Sequence, residues 1–254
     1  MHLKTHAHWS YRNCLLAVAA GLLLAGCATD RTTTGSIGRA GISSTKVSPT
    51  ASLDALGARY VKNPNDKNVA RQYADKLTAL DRTDQALAVL RKLVIVYPKD
   101  RQILAAYGKA LARSGNHEAA LDAVRRAQTP ESPDWSLLST EASVLDQMGA
   151  TEEARATYKR ALQLAPGETS LLSNVAMSYL LSGQPQAAET YLRQAVKLNN
   201  SDPRIRQNLA FVLGVQGKVQ EARNLYENSG LSPAQIDTNM GYFSQMNVSQ
   251  VIRK

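Results

Sequence analysis

The stretch TSLLSNVAMSYLLSGQPQAAETYLRQAVKLNNSD, residues 169–202, carries a pattern that recurs every 34 residues over residues 67–236. Small residues stand at its eighth position, Ala176, and at its twentieth, Ala188, with Gly183 between them at the fifteenth. Small side chains let two helices approach closely. Glycine readily adopts the positive φ of a tight turn. The stretch therefore predicts two antiparallel helices joined by a short turn.

Columns of residues spaced by 34 positions run through the chain without a gap. They are Ala74, Gly108, Ala142, Ala176 and Ala210; Leu77, Leu111, Leu145, Tyr179 and Leu213; Asp81, Gly115, Gly149, Gly183 and Gly217; Ala86, Ala120, Ala154, Ala188 and Ala222; and Leu90, Val124, Tyr158, Leu192 and Tyr226. This pattern resembles the tetratricopeptide repeat, which implies an all-α, right-handed superhelical solenoid of five full helix pairs. Asp81 departs from the glycine column, so we expect a less regular turn in the first unit.

Segments on both sides of the repeats are predicted to close the ends of the array, where a missing neighbour would leave an apolar face exposed. Residues 51–66 predict a leading cap helix for the first unit. At the other end, Ser232-Pro233-Ala234-Gln235 matches a capping box with proline at the first helical position. We therefore expect five repeats over residues 67–236, a C-terminal cap helix over residues 232–247 and a frayed tail over residues 248–254.

The N-terminus has the pattern of a secretory signal. Residues 1–26 contain Lys4 and Arg12, no acidic residue, and an apolar run too short to span a bilayer comfortably. Leu24-Ala25-Gly26-Cys27 resembles the lipobox of bacterial lipoproteins, which implies cleavage before Cys27 and acylation of its thiol. We expect a lipoprotein signal peptide over residues 1–26 and a lipid anchor at Cys27. An ordinary signal peptide with an incidental cysteine is the alternative.

Residues 27–50 are predicted to be the lipidated cysteine and a flexible tether, because the segment is rich in Thr, Ser and Gly and lacks a sustained apolar period. Ala28 after the cysteine resembles the sorting pattern for the periplasmic face of the outer membrane. The formal net charge is +9, and loss of the signal would lower it by two. Such a charge attracts nucleic acid, anionic lipid or acidic protein. Export would exclude nucleic acid.

The sequence offers few groups for catalysis. His117 is the only histidine after the predicted signal. Glu152 and Glu153 are adjacent on a predicted helix, so their side chains diverge by about 100° and cannot face each other as an acid pair. Catalytic triads, metal sites and thiol chemistry need groups that this part of the chain nearly lacks. We therefore expect no catalytic site, no metal and no cofactor. An enzyme that uses only carboxylates or lysine is a weaker alternative.

A peptide groove is predicted on the first helices of the repeats. By resemblance to other tetratricopeptide proteins, the second, fifth, sixth, ninth and twelfth positions face the ligand. In the last two units these positions hold Ser170, Ser173, Asn174, Met177 and Leu180, and Arg204, Gln207, Asn208, Phe211 and Gly214. Asparagine amides can hydrogen-bond to the backbone of an extended peptide, while Met177 and Phe211 can supply apolar pockets. Alternatively, Met177 and Phe211 pack beneath the cap helix and the asparagines cap turns or contact water.

The lipobox, the polar tether, five gapless repeats and the stretch LSPAQIDTNMGYFSQM, residues 231–246, together resemble the TadD family of Flp (tight adherence) pilus assembly lipoproteins. The resemblance implies a non-catalytic periplasmic scaffold that is attached to the membrane by its lipid. Its groove would bind a segment of a pilus secretin or pilus subunit, as a pilotin or assembly factor. The alternative is a lipoprotein scaffold for another envelope task, such as outer-membrane protein or cell-wall enzyme assembly.

Overall fold

The computed structural model describes residues 49–129, 131 and 133–251. The chain divides into two units, residues 1–52 and 53–254. Within the described ranges there are twelve helices and no strand, so the predicted all-α solenoid is confirmed. The helices are α1 (Pro49–Lys62), α2 (Lys67–Ala79), α3 (Thr83–Val96), α4 (Arg101–Arg113), α5 (His117–Ala127), α6 (Trp135–Gln147), α7 (Thr151–Leu164), α8 (Thr169–Leu181), α9 (Pro185–Leu198), α10 (Pro203–Val215), α11 (Val219–Glu227) and α12 (Pro233–Val251).

Five helix pairs make up the array, and each pair packs against the next. The first helices are α2, α4, α6, α8 and α10, and the second helices are α3, α5, α7, α9 and α11. Each first helix lies against the first helix of the following unit, whereas no two second helices in the described chain approach as closely through their backbones. The first helices therefore form the inner face of the array and the second helices form its outer face.

Columns of small residues set the distance between the paired helices. Each alanine of the column that contains Ala188 has no exposed surface. At Gly108, where four other units have alanine, an added Cβ would lie 2.6 Å from Cγ2 of Val124. The two helices of the second unit thus approach more closely than a methyl group at position 108 would permit.

The turns within the units use a left-handed residue. The glycine column has φ between 73° and 82°, with Gly183 at the lower limit. Asp81 adopts a φ of 59°, so the expectation of a less regular first turn is wrong. The Arg82 N–H donates to the Leu77 carbonyl over 2.9 Å, and Asn116 donates to Leu111 in the same way in the next unit. Aspartate is among the few residues with a side chain that tolerate this conformation.

The beginning of each first helix is fixed by a carboxylate, a feature that the sequence analysis did not identify. In every unit an acidic N-cap side chain accepts a hydrogen bond from one or two backbone N–H groups of the first turn. These residues are Asp66, Asp100, Asp134, Glu168 and Asp202. They satisfy donors that have no partner within the helix. They also form a further column at the 34-residue spacing.

Helix α1 differs from the leading cap helix predicted over residues 51–66. It ends at Lys62, because Pro64 cannot continue a helix and Asp66 already caps α2. Its bounds are displaced by 34 residues from those of α3, which places it in the register of a second helix. Leu53 is buried, and the Tyr60 ring stacks on Tyr73 of α2 at 5.3 Å. The array therefore begins with a second helix that has no first helix of its own within the described residues.

Helix α12 covers the last unit. The Ser232 N–H donates to Oε1 of Gln235 over 2.9 Å and the Gln235 N–H donates to the Ser232 hydroxyl over 3.4 Å, which is the expected capping box. The helix continues to Val251, so helical structure extends into the segment predicted as a frayed tail. No described helix combines the length and hydropathy that a membrane span requires. The predicted signal peptide and Cys27 lie outside the described residues.

Candidate peptide-binding face

The inner face of the third and fourth units consists largely of small uncharged polar side chains. At the second, fifth, sixth and ninth helical positions α6 has only Ser and Thr, and α8 has Ser, Asn and one Met. We call the polar members of this set the polar strip: Ser136, Ser139, Thr140, Ser143, Ser170, Ser173 and Asn174. The strip has hydroxyl and amide groups and no charged member, although Lys109 of α4 donates to the Ser136 hydroxyl over 2.7 Å. It is therefore suited to hydrogen bonding with a neutral backbone.

Asn174 is the exposed amide of the strip. Its Nδ2 donates to the hydroxyl of Ser139 in the preceding unit over 2.9 Å. Ser139 is buried, so it holds the amide from below. The Asn174 Oδ1 accepts no hydrogen bond from the described part of the chain. The side chain is thus oriented by one contact and still has an acceptor for a ligand.

Ser173 was predicted to contact the ligand, but it is only 8% exposed. Its Oγ is buried and has no hydrogen-bond partner in the described residues. A buried hydroxyl without a partner costs about 1 to 3 kcal/mol. Ser173 is therefore a buried member of the strip, and the prediction that it is an accessible groove residue is wrong.

The corresponding positions of α10 are partly occupied by contacts within the chain. Arg204 is exposed and donates to the N-cap carboxylate of Asp202 over 3.1 Å. This hydrogen bond raises the pKa of Arg204 and lowers that of Asp202. Gln207 Nε2 donates to the Ser229 carbonyl over 3.1 Å. Asn208 is half-buried and makes no hydrogen bond to the described chain, so its amide is free for a ligand.

The apolar part of the predicted groove is mostly occupied by the protein itself. Phe211 is 6% exposed, and its ring centroid lies 5.7 Å from that of Phe243 in α12. Phe211 therefore packs beneath the cap helix, and the prediction that it forms an open pocket is wrong. The Phe243 ring also covers Gly214, and Leu180 is buried. Met177, three residues after Asn174 on α8, is half-buried.

One charged cluster lies beside the polar strip, where α7 packs against α8. The Arg155 guanidinium lies 3.5 Å from the centroid of the Tyr179 ring and donates to the hydroxyls of Ser178 and Ser182. Burial raises the pKa of Asp146 on α6, against the opposing effects of a hydrogen bond with Ser178 and the charge of Arg155. These contacts fasten the third unit to the fourth. The relative position of the two halves of the strip is thereby fixed.

The described residues contain no group of three or more His, Cys, Asp or Glu side chains that could hold a metal ion. His117 is half-buried at the start of α5, and its Nδ1 is buried without a hydrogen-bond partner. The Oε1 atom of Glu153 accepts from Arg125 at the outer face. The polar strip has hydroxyl and amide groups, which can donate and accept hydrogen bonds.

Family models match three parts of this chain. Each model is described as a tetratricopeptide repeat, and the matches cover residues 74–134, 137–168 and 179–235. Together they take in more than half of the sequence and fall on the helix pairs described above. The chain is a tetratricopeptide repeat protein. Its fold is that of a scaffold for protein–protein interaction.

Solved structures share this tetratricopeptide fold. A tetratricopeptide repeat protein from Parabacteroides merdae is 14% identical, with a TM-score of 0.68 over 77% of this chain and 78% of that one. A thermophilic TPR protein of Thermus thermophilus is 23% identical, with a TM-score of 0.60 over 69% and 97%. Pseudomonas aeruginosa pilF is 19% identical, with a TM-score of 0.54 over 78% and 87%. At these identities the likeness concerns the fold alone. Comparison with curated proteins gave no match.

Proposed function

We propose that this tetratricopeptide repeat protein is a non-catalytic scaffold that binds an extended segment of a partner protein along its inner face. The observation that carries the proposal is the pair Asn174 and Asn208, which stand 34 residues apart at the same helical position. Both amides retain hydrogen-bonding capacity, and the polar strip beside them has no charge. Amides with both donors and acceptors can bind a peptide backbone whatever its side chains.

The lack of charge on the strip makes the partner's backbone, rather than a charged side chain, the main point of recognition. Arg204 is paired with Asp202, and Asp146 lies beside Ser178 and Arg155. Met177, three residues after Asn174 on α8, is a half-buried apolar side chain of the predicted groove. The segment that fits is therefore extended and neutral, with a small apolar side chain near Met177.

We further propose that the chain is a lipoprotein of Flp pilus biogenesis. In this proposal Cys27 attaches it to the periplasmic face of the outer membrane, and a secretin or a pilus subunit supplies the bound segment. The support is the lipobox, the polar segment that follows it, the gapless repeats and the ending LSPAQIDTNMGYFSQM, which together resemble the TadD family.

The partner can be tested by placing a photo-crosslinking amino acid at position 174 or 208 of the full chain in cells. Position 194 is the control, because Gln194 is exposed on the outer face in α9. We expect both inner-face positions, but not position 194, to capture a secretin or pilus subunit. Capture of a cell-wall enzyme or an outer-membrane protein would favour the alternative envelope task. Equal capture at position 194 would contradict binding at the inner face.

The anchor can be tested separately by metabolic labelling with a fatty acid. We expect Cys27→Ser to abolish the label and release the protein from the membrane fraction, while Cys14→Ser leaves both unchanged. Label that persists in Cys27→Ser would exclude this cysteine as the anchor. Because the readout is independent of crosslinking, failure of the anchor leaves the scaffold proposal open to its own test.

A further inference from the structure

Exposed aliphatic side chains gather at one edge of the array. Seven large hydrophobic residues are exposed among the described residues, and five of these lie in the last two positions of α1, α3, α7 or α9. They are Val61, Ile95, Val96, Leu164 and Leu198, with exposures of 77%, 76%, 44%, 46% and 54%. We call this set the aliphatic edge. The other two, Met148 and Val219, lie in or next to the turns at the opposite ends of the units.

Basic side chains precede the aliphatic edge by one to five residues on the same helices. Arg91 and Lys92 precede Ile95 on α3, and Lys159 and Arg160 occupy the same positions on α7. On α9, Lys197 adjoins Leu198. All five are exposed, and none forms an ion pair within the described chain.

Contacts between neighbouring units show that these helix ends share a surface. One open cavity is bordered by Gln128 of the second unit and by Arg160 and Leu164 of the third. At the start of the array, the Tyr97 hydroxyl donates to the Asn65 carbonyl over 3.0 Å, which joins the end of α3 to the loop that follows α1. The aliphatic edge therefore recurs at the same end of α1, α3, α7 and α9, whereas α5 has no aliphatic member and its Arg125 and Arg126 are ion-paired.

Acidic groups do not cancel this positive charge. On α3 and α7 the acidic residues, Asp84 and Glu152 with its neighbour Glu153, lie in the first turn, about 10 Å from the cations along the helix. The carboxylates at the same edge are the N-caps, such as Asp100, which accept backbone N–H groups. The helix dipole favours cations near a helix C-terminus, but it gives no reason for exposed aliphatic side chains beside them.

The combination of unpaired cations and exposed aliphatic side chains is that of a surface that docks on lipid. Cations are attracted to anionic head groups, and aliphatic side chains enter the boundary with the acyl chains. A nucleic acid or an acidic polypeptide would satisfy the cations and leave the aliphatic side chains in water. We propose that the aliphatic edge docks on the surface of an anionic phospholipid bilayer. Because the edge belongs to the second helices, the inner face stays open to a protein partner.

The proposal can be tested with the full chain carrying Cys14→Ser and Cys27→Ser and a single polarity-sensitive fluorophore. The label is placed through Ile95→Cys or Leu164→Cys, and the controls are Met148→Cys and Val219→Cys. Vesicles consist of phosphatidylcholine alone or with added phosphatidylglycerol. We expect a blue shift at positions 95 and 164 with the anionic vesicles and little change at the control positions. Positions 148 and 164 belong to the same helix pair, so the comparison between them separates docking through the edge from attachment through residues 1–48.

An equal response at all four positions, or no response at positions 95 and 164, would overturn the proposal. So would a response at position 95 to polyglutamate or duplex DNA without a response to anionic vesicles, since this would assign the cations to a soluble polyanion.

Charge-matched variants test the cations independently. We expect Lys92→Gln, Lys159→Gln and Arg160→Gln combined to weaken anionic-vesicle binding on the order of 100-fold, as measured by the label at position 95. The control combines Lys76→Gln, Arg82→Gln and Arg113→Gln, which removes the same charge away from the aliphatic edge. Both variants are first checked for unchanged thermal unfolding. If the two triple variants lose the same affinity for anionic vesicles, net charge alone explains the binding and docking through this edge is overturned.

Discussion

Phe243 of the cap helix lies so close to Gly214 that a Cβ at position 214 would be 2.3 Å from the Phe243 Cε2 atom. Phe243 is 1% exposed and its ring also lies beside those of Phe211 and Tyr226, so it has no room to withdraw. This contact fixes the cap helix on the fifth unit. It also explains why the predicted apolar pocket at Phe211 is closed.

Replacing this glycine tests the docking of the cap helix. We expect Gly214→Ala to lower the free energy of unfolding by about 1 to 3 kcal/mol through overpacking. Gly241→Ala in α12 is the matched control, because an added Cβ there meets nothing within 4 Å. It should raise stability by roughly 0.5 to 1 kcal/mol. Urea unfolding of the two variants measures the difference, and equal stabilities would mean that α12 does not pack as described.

Substitution of the turn glycines should lower stability for a different reason, which is their left-handed backbone conformation. Gly183 has a φ of 73° with open space around it, so a side chain there meets backbone strain and no clash. We expect Gly183→Ala to cost roughly 1 to 2 kcal/mol in thermal or urea unfolding. Gly167→Ala should be nearly neutral, because this residue is outside the left-handed region and has equally open surroundings. A neutral Gly183→Ala would contradict the assigned turn geometry.

The N-cap column predicts a local effect on helix α6. The Asp134 carboxylate accepts from the N–H groups of Ser136 and Leu137 over 2.7 and 3.3 Å. We expect Asp134→Ala to cost about 1 kcal/mol and to speed hydrogen exchange at these two amides. Asp134→Asn should retain most of the protection, since asparagine caps about as well. Glu131→Ala, in the preceding loop, should change neither amide.

Glu189 predicts a dependence of stability on pH. Burial opposes its ionisation, but hydrogen bonds from Lys218, Arg193 and Gln216 lower its pKa from 4.5 to about 2. A depressed folded-state pKa adds stability above the unfolded value, and this contribution is lost as pH falls through the folded value. We therefore expect wild type to exceed Glu189→Gln in stability from neutral pH down to about pH 5, with the difference shrinking between about pH 4.5 and pH 2.

The control for this titration is Asp122→Asn. Asp122 pairs with Arg126 on the exposed surface of α5, with side-chain exposures of 65% and 49%. Such pairs contribute little to stability, so its removal should change the free energy of unfolding by less than about 0.5 kcal/mol at any pH. If the two variants show the same pH profile, the lowered pKa of Glu189 is contradicted.

Substitutions at Asn208 and Ala188 should distinguish an effect on partner binding from an effect on folding stability. We expect Asn208→Ala to weaken capture of the partner segment up to about tenfold through loss of hydrogen bonds, with no change in urea unfolding. Ala188 is fully buried between α8 and α9, so Ala188→Leu should instead cost about 1 to 3 kcal/mol by overpacking. Unfolding of the Asn208→Ala protein would place this residue in the core rather than on the binding face.

The helix pairs could be predicted from the sequence because each unit requires the same small residues and the same turn residue at the same positions. Ala188 and its equivalents must be small wherever two helices cross, and Gly183 and its equivalents must turn the chain. The acidic N-cap column was visible at the same spacing and was not identified, although Asp66 and Asp134 both stand directly before a first helix. The register of α1 was harder to detect, because Ser52 stands where later units have Ala and Arg59 stands where α3, α5, α7 and α9 have Leu or Ala, so that only Leu56 fits its column.

The candidate site was only partly predictable. An apolar residue at the ninth helical position fits an open pocket or the underside of a cap equally well, so Phe211 could be placed only once α12 was seen to cover it. The burial of Ser173 and the engagement of Gln207 by the Ser229 carbonyl depend on neighbouring units and not on local pattern. Asn174 and Asn208 retained the predicted hydrogen-bonding capacity because nothing in the described chain satisfies it completely.

Helix α1 stands in the phase of a second helix, and α12 packs on the last pair where a following first helix would lie. The helices at the two ends therefore fit the 34-residue register of the array, whatever the number of repeats between them. Excision or duplication of residues 169–202 would rejoin the chain in phase, with the same two ends and a shorter or longer interior. The extent of the binding face could thus change in evolution or by engineering, in steps of one period, without any redesign of the termini.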